Sequence, residues 1–100
     1  MFEMIALYIL QKANKGVFDQ ITSDDILGRQ TLNMKEAVNY IQNSADLIVY
    51  YEGSDDGRKR LEQLFGKFLQ RLAAKTEEDV IKQIKEEDSR AEDGMGFLFG

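Results

Sequence analysis

Apolar residues recur along the chain at spacings that predict a succession of helices. Phe2, Ile5, Ala6, Ile9, Leu10 and Ala13 follow the i, i+3, i+4 rule, and Met4, Leu7 and Tyr8 widen the stripe. This predicts a helix over 2–15, buried on more than half its circumference and ended at Asn14-Lys15-Gly16. Residues 17–21 read as a short extended piece. Ser23-Asp24-Asp25 reads as an N-cap with acidic first-turn residues, opening a helix over about 24–29. Asn33 and Glu36 stand at capping-box spacing, followed by Ala37, Val38, Ile41, Ala45 and Ile48 in helical phase. Two readings compete beyond that point. A helix could end near residue 43 with a strand over 47–51, since Leu47-Ile48-Val49-Tyr50-Tyr51 are strand formers. The unbroken phase favours a single helix over 34–52, closed by Gly53.

Ser54-Asp55-Asp56 opens the next helix, over 55–75. Its stripe is Leu61, Leu64, Phe65, Phe68, Leu69 and Leu72, with charged and amide residues opposite. Two helices joined by so short a turn predict an antiparallel helical hairpin. Thr76 caps a last helix, 77–89, on which Val80, Ile81 and Ile84 leave only a narrow apolar strip. Ala91 to Gly94 reads as a flexible joint. The expectation is an all-α fold: a small helical core domain (1–75) with a central antiparallel helical hairpin, an acidic surface helix (76–90) and a flexible C-terminal docking peptide (91–100).

Charge changes this picture at one end. The net charge is −5 over 100 residues. Residues 1–75 hold ten Lys/Arg against ten Asp/Glu, while residues 76–100 hold three against eight, so the whole excess lies in the last quarter. An acidic arm repels nucleic acid and favours basic protein surfaces. There is no His and no Cys. The usual nucleophile–base sets therefore cannot be assembled and the commonest metal ligand is missing, and the expectation is a protein that is not an enzyme, with no cofactor and no metal. The absence of Cys, of a signal peptide and of a transmembrane span points to a cytoplasmic chain. The paired acids Asp24-Asp25 and Asp55-Asp56 each follow a Ser at an expected helix start and read as dipole-complementing residues.

Arg58-Lys59-Arg60 is the one basic cluster. As an alternative, helix one, the 17–21 piece and the helices at 24–29 and 34–43 could form a helix-turn-helix, with Arg58, Lys59 and Arg60 in a wing contacting DNA. The neutral body and acidic arm argue against nucleic acid. A further alternative is a small structural subunit of a homo-oligomer with helix one as its interface.

The chain closes on Glu92-Asp93-Gly94-Met95-Gly96-Phe97-Leu98-Phe99-Gly100. Acidic residues keep such a segment solvated, glycines keep its backbone adaptable, and Met95, Phe97, Leu98 and Phe99 offer dense apolar anchors. This pattern suits a protein partner with an apolar groove rimmed by Lys/Arg: charge steers the encounter and the aromatics carry the affinity. These nine residues resemble the C-terminal tail of the acidic ribosomal stalk proteins, whose tip recruits GTPase translation factors. They also resemble the docking tips of some phage accessory proteins. The resemblance implies a docking tip at Met95, Phe97, Leu98 and Phe99, and hence an adaptor or assembly factor.

Overall fold

Residues Glu3–Leu10 form a strand, β1, where the apolar periodicity predicts a helix. The reason is burial on both sides. In the computed structural model, which describes residues 3–42 and 44–99 (side chains for 4–42 and 44–87), Met4, Ala6, Tyr8 and Leu10 face one layer and Ile5, Leu7 and Ile9 the other. A strand covered on both faces reads as a continuous apolar run, which satisfies a helical template as easily as an extended one. Ala6, Leu7 and Leu10 are fully buried. Burial of each leucine contributes roughly 1.5–3 kcal/mol.

The chain continues through a short 3-10 turn into α1, Val17–Ser23, where an extended piece was expected. The helix expected at 24–29 is a single 3-10 turn, Leu27–Arg29, and the side chain that braces the approach to it is Asp24 rather than Ser23. One Asp24 carboxylate oxygen accepts from the Ile26 and Leu27 amides. Thr31–Glu36 is β2 and Leu47–Ser54 is β3, so the helix expected over 34–52 is absent and the competing strand reading holds. Five consecutive residues, Leu47 to Tyr51, are buried, and the β-branched and aromatic character of the run matches that environment. Ser54 then caps α2, Asp55–Phe65, as its sequence predicts, accepting through Oγ from the Gly57 amide at 3.1 Å. The chain leaves the helix at Gly66, and Leu69–Arg71 forms β4 against β1. Ala74–Phe99 is α3.

The sheet order is β2-β3-β1-β4, with every neighbouring pair antiparallel. With α1 between β1 and β2, and α2 between β3 and β4, this is the split βαβ connectivity of ferredoxin-like folds. The fold is α+β. The all-α expectation and its central helical hairpin are overturned, because β3 and α2 are joined at Ser54 as strand and helix. One sheet face carries α1 and α2 over a core including Tyr8, Ile21, Leu27, Val49, Tyr51 and Leu61. The other face, centred on Leu7, Ile48 and Tyr50, receives Val80 and Ile84 of α3.

Candidate functional site

The basic triplet sits on the first turns of α2, not in a wing. Ser54, Asp55 and Asp56 start this helix by cap and dipole, and helical spacing then sets each cation beside a carboxylate. Arg58 contacts Asp55 at 3.0 Å and Glu62 at 2.9 Å, and Lys59 reaches Asp55 at 3.5 Å. Arg60 grips Asp24 with two bonds, 2.9 and 2.8 Å, tying α2 to the turn after α1. The Arg60 guanidinium and the Leu27 amide hold the Asp24 carboxyl well below the usual carboxylate range. Three cations thus meet three carboxylates, and the cluster is electrically matched. It lacks the unpaired positive stripe that tracks phosphates.

A second polar group lies deeper. Tyr8 is almost fully buried, and its hydroxyl donates to Glu62 Oε2 at 2.6 Å. Burial and then that bond push the phenol above its ordinary range, so it stays a neutral donor. Burial alone would raise the Glu62 carboxyl, but the bonds from Tyr8 and Arg58 outweigh it and the group is depressed. On β4, Arg71 bonds both carboxylate oxygens of Glu77, at 3.0 and 3.2 Å. Glu77 also accepts from the buried Leu7 amide at 3.0 Å. Leu72 N donates to Leu7 O, so Glu77 stands where the next carbonyl of β4 would complete the ladder. This carboxylate fastens the root of α3 to the sheet. Among the described residues, no buried side-chain polar atom lacks a partner. The network has the character of structural fixation. The sequence reading placed Tyr8 in an apolar stripe and missed its pairing with Glu62 and that of Arg71 with Glu77; the one trace of them is a charge, Arg71, set between Leu69 and Leu72.

An open cleft of about 410 Å³ lies between α1 and α2, beside Asp19, Gln20, Ser23, Asp24 and Phe65, and further concave surface lies at one end of the sheet. Three shallow clefts, of about 390, 370 and 230 Å³, all include Asp46 in their walls. Val38, Leu47, Ile41 and Phe68 supply apolar surface there, with Lys12 and Lys67 at the margins. Among the described residues, no three His, Cys, Asp or Glu side chains are placed to hold a metal ion. Nor is any described helix long and apolar enough to cross a membrane.

The acidic arm is carried on α3. Besides Glu77, its anchors are Val80 and Ile84, both nearly fully buried, and Glu87, which accepts from the Tyr40 hydroxyl at 2.8 Å. The joint expected at 91–94 and the tip positions Met95, Phe97, Leu98 and Phe99 all fall within the span of α3, and their side chains lie outside those described. The structure brings Arg58 and Lys59 together around Asp55, carries Arg60 to Asp24 and, among the described residues, does not join any of them to the arm. Helix one, considered as an oligomer interface, is β1, one of the two inner strands, and is covered on both faces. Comparison with protein-family models, with curated proteins and with solved structures gives no significant match.

Proposed function

We propose that this protein is a non-enzymatic adaptor that docks a protein partner through its acidic, aromatic C-terminal segment. The observation that carries the reading is the distribution of charge: the body balances ten cations with ten anions, and the full excess of −5 lies in residues 76–100, immediately before and around Met95, Phe97, Leu98 and Phe99. The fastening of α3 by Glu77, Val80 and Ile84 supports it, because a secured root leaves the distal segment to act as an arm. The partner would present an apolar groove rimmed by Lys/Arg. Its affinity would be modest and would weaken with salt. Of the alternatives, DNA binding has the least support, since Arg58, Lys59 and Arg60 are each matched by a carboxylate.

The test compares the full chain with a chain ending at residue 93 and with a Phe97→Ser/Phe99→Ser variant. The melting temperature should stay within about 2 °C, while salt-sensitive capture of a specific protein is lost in both variants. A collapse of the melting temperature would place the tip in the core and end the docking reading.

A further inference from the structure

We propose that the open edge of β2 is an interface for a second copy of this chain, formed by antiparallel pairing about a two-fold axis at Asn33. This goes beyond the docking tip and does not depend on it. The two edges of the sheet are unequal. At the β1 side, β4 covers Tyr8 to Leu10 and the Glu77 carboxylate takes the Leu7 amide. At the other side, all six residues of β2 have β3 on one flank only.

The direction of the free backbone groups follows from the register. Leu7 bonds toward β4, so the odd residues of β1 point that way and the even ones point toward β3. Their partners Tyr51 and Val49 point back at β1, which leaves Ile48, Tyr50 and Glu52 bonding to Lys35, Asn33 and Thr31. Leu32 and Met34 therefore direct their N–H and C=O groups away from the sheet. No bulge or proline blunts this edge, and its two charged residues, Lys35 and Glu36, are confined to one end of it.

The edge is complementary to itself in one register. A two-fold axis at Asn33 sets Leu32 opposite Met34 of the second copy, and Met34 opposite its Leu32, both as hydrogen-bonded pairs. Lys35 then faces Thr31 rather than another cation. Moving the axis to Met34 would set Leu32 against Glu36 instead. Two further residues select a second copy over an unrelated strand. Among the described residues the exposed large apolar side chains are Ile26 (46%), Val38 (58%) and Leu64 (45%). Ile26 lies just before β2 and Val38 just after it. An antiparallel two-fold brings the Ile26 end of each strand to the Val38 end of the other, so that each end of the paired strands carries an exposed apolar residue from both copies.

Sedimentation of the full chain over a concentration series should show a species of twice the 11.5 kDa protomer mass that dissociates on dilution. Because the chain has no cysteine, single substitutions report the register cleanly. Asn33→Cys should cross-link to dimer under mild oxidation, since facing residues of a non-hydrogen-bonded pair lie about 4.5 Å apart at Cα. Lys35→Cys should not, because its two copies would sit roughly 14 Å apart along the strands. Asn33→Asp opposes two carboxylates and should weaken the dimer roughly three- to tenfold with the melting temperature of the dilute protomer unchanged. The chain ending at residue 93 should dimerise as well as the full chain. A strict monomer, equal cross-linking at both positions, a dimer indifferent to Asn33→Asp, or a dimer lost with the tip would each overturn the proposal.

Discussion

Replacing Gly57 by Ala should destabilise this protein, the reverse of what the same change does in an ordinary helix. Gly57 is the third residue of α2, and glycine inside a helix usually costs about 0.5–1 kcal/mol relative to alanine. Here a Cβ would meet the Tyr51 hydroxyl inside contact distance and would lie 3.2 Å from Ser54 Oγ. The Tyr51 side chain cannot yield: it is fully buried, and its hydroxyl donates to Ser54 O at 2.6 Å. Overpacking a fixed neighbour costs about 1–3 kcal/mol, which exceeds the propensity gain and leaves a net loss of about 1–2 kcal/mol. For a domain of this size that lowers the melting temperature by roughly 5–15 °C. The assay is urea unfolding followed by circular dichroism on a double-mutant cycle. Tyr51→Phe removes the obstructing oxygen and costs its own bond, about 1 kcal/mol. Tyr51→Phe/Gly57→Ala should then be no worse than Tyr51→Phe alone, giving a coupling of at least about 1 kcal/mol. A stabilised Gly57→Ala protein, or a cycle that is additive, would refute the claim that Tyr51 and Gly57 share this space.

Glu77→Ala strands the buried Leu7 amide and frees Arg71, for a loss of about 2 kcal/mol and a melting point lower by roughly 10 °C; amide exchange at Leu7 should accelerate, and an unchanged Leu7 rate would show that Glu77 does not hold α3. Acid should weaken the fold through Asp24, Asp55 and Glu62. All three are depressed in the native state from ordinary values of 3.8, 3.8 and 4.5, so their stabilisation is complete above about pH 5 and is lost as pH falls through the depressed values. Urea midpoints measured from pH 7 downward should be level to about pH 5 and then drop, and Asp24→Asn, weaker at neutral pH, should drop less. A midpoint that rises on acidification would contradict the pairing.

How much of this was legible in the sequence depends on how local each determinant is. The start of α2 was readable because Ser54, Asp55 and Asp56 act on their own first turn. Its end was not: Phe68 and Leu69 keep the helical phase of Leu61 and Leu64, yet Leu69 belongs to a strand whose partner is Leu10. The spacing of Asn33 and Glu36 imitates a capping box, but Asn33 pairs with Tyr50 across the sheet and the local signal is overridden. β1 misled for a different reason, since Met4 to Leu10 contains no polar residue to mark either period. In the candidate site, Arg58 with Asp55 and Glu62 follows from helical spacing alone. Arg60 with Asp24 spans 36 residues and Leu7 with Glu77 spans 70, so no pattern along the chain foretells them.

The two proposals meet in the geometry of α3. Three cations of the body, Arg58, Lys59 and Arg60, are held by the body's own carboxylates, while Arg71 pairs with Glu77 at the root of the arm. The arm's root rests on the sheet face formed by Leu7, Ile48 and Tyr50, away from the face that carries α1 and α2. A two-fold axis that joins β2 to β2 stands perpendicular to the continuous sheet, and it places both copies of α3 on the same face. Two arms would then leave one side of the dimer together. A tip with few anchors binds weakly alone, but a pair of tips that can reach two grooves at once raises the effective concentration of the second binding event into the millimolar range. Pairing along β2 would then supply by avidity the affinity that Met95, Phe97, Leu98 and Phe99 are too few to supply singly. On this reasoning Asn33→Asp, which leaves every tip residue in place, should weaken capture of a bivalent partner more than capture of a monovalent one.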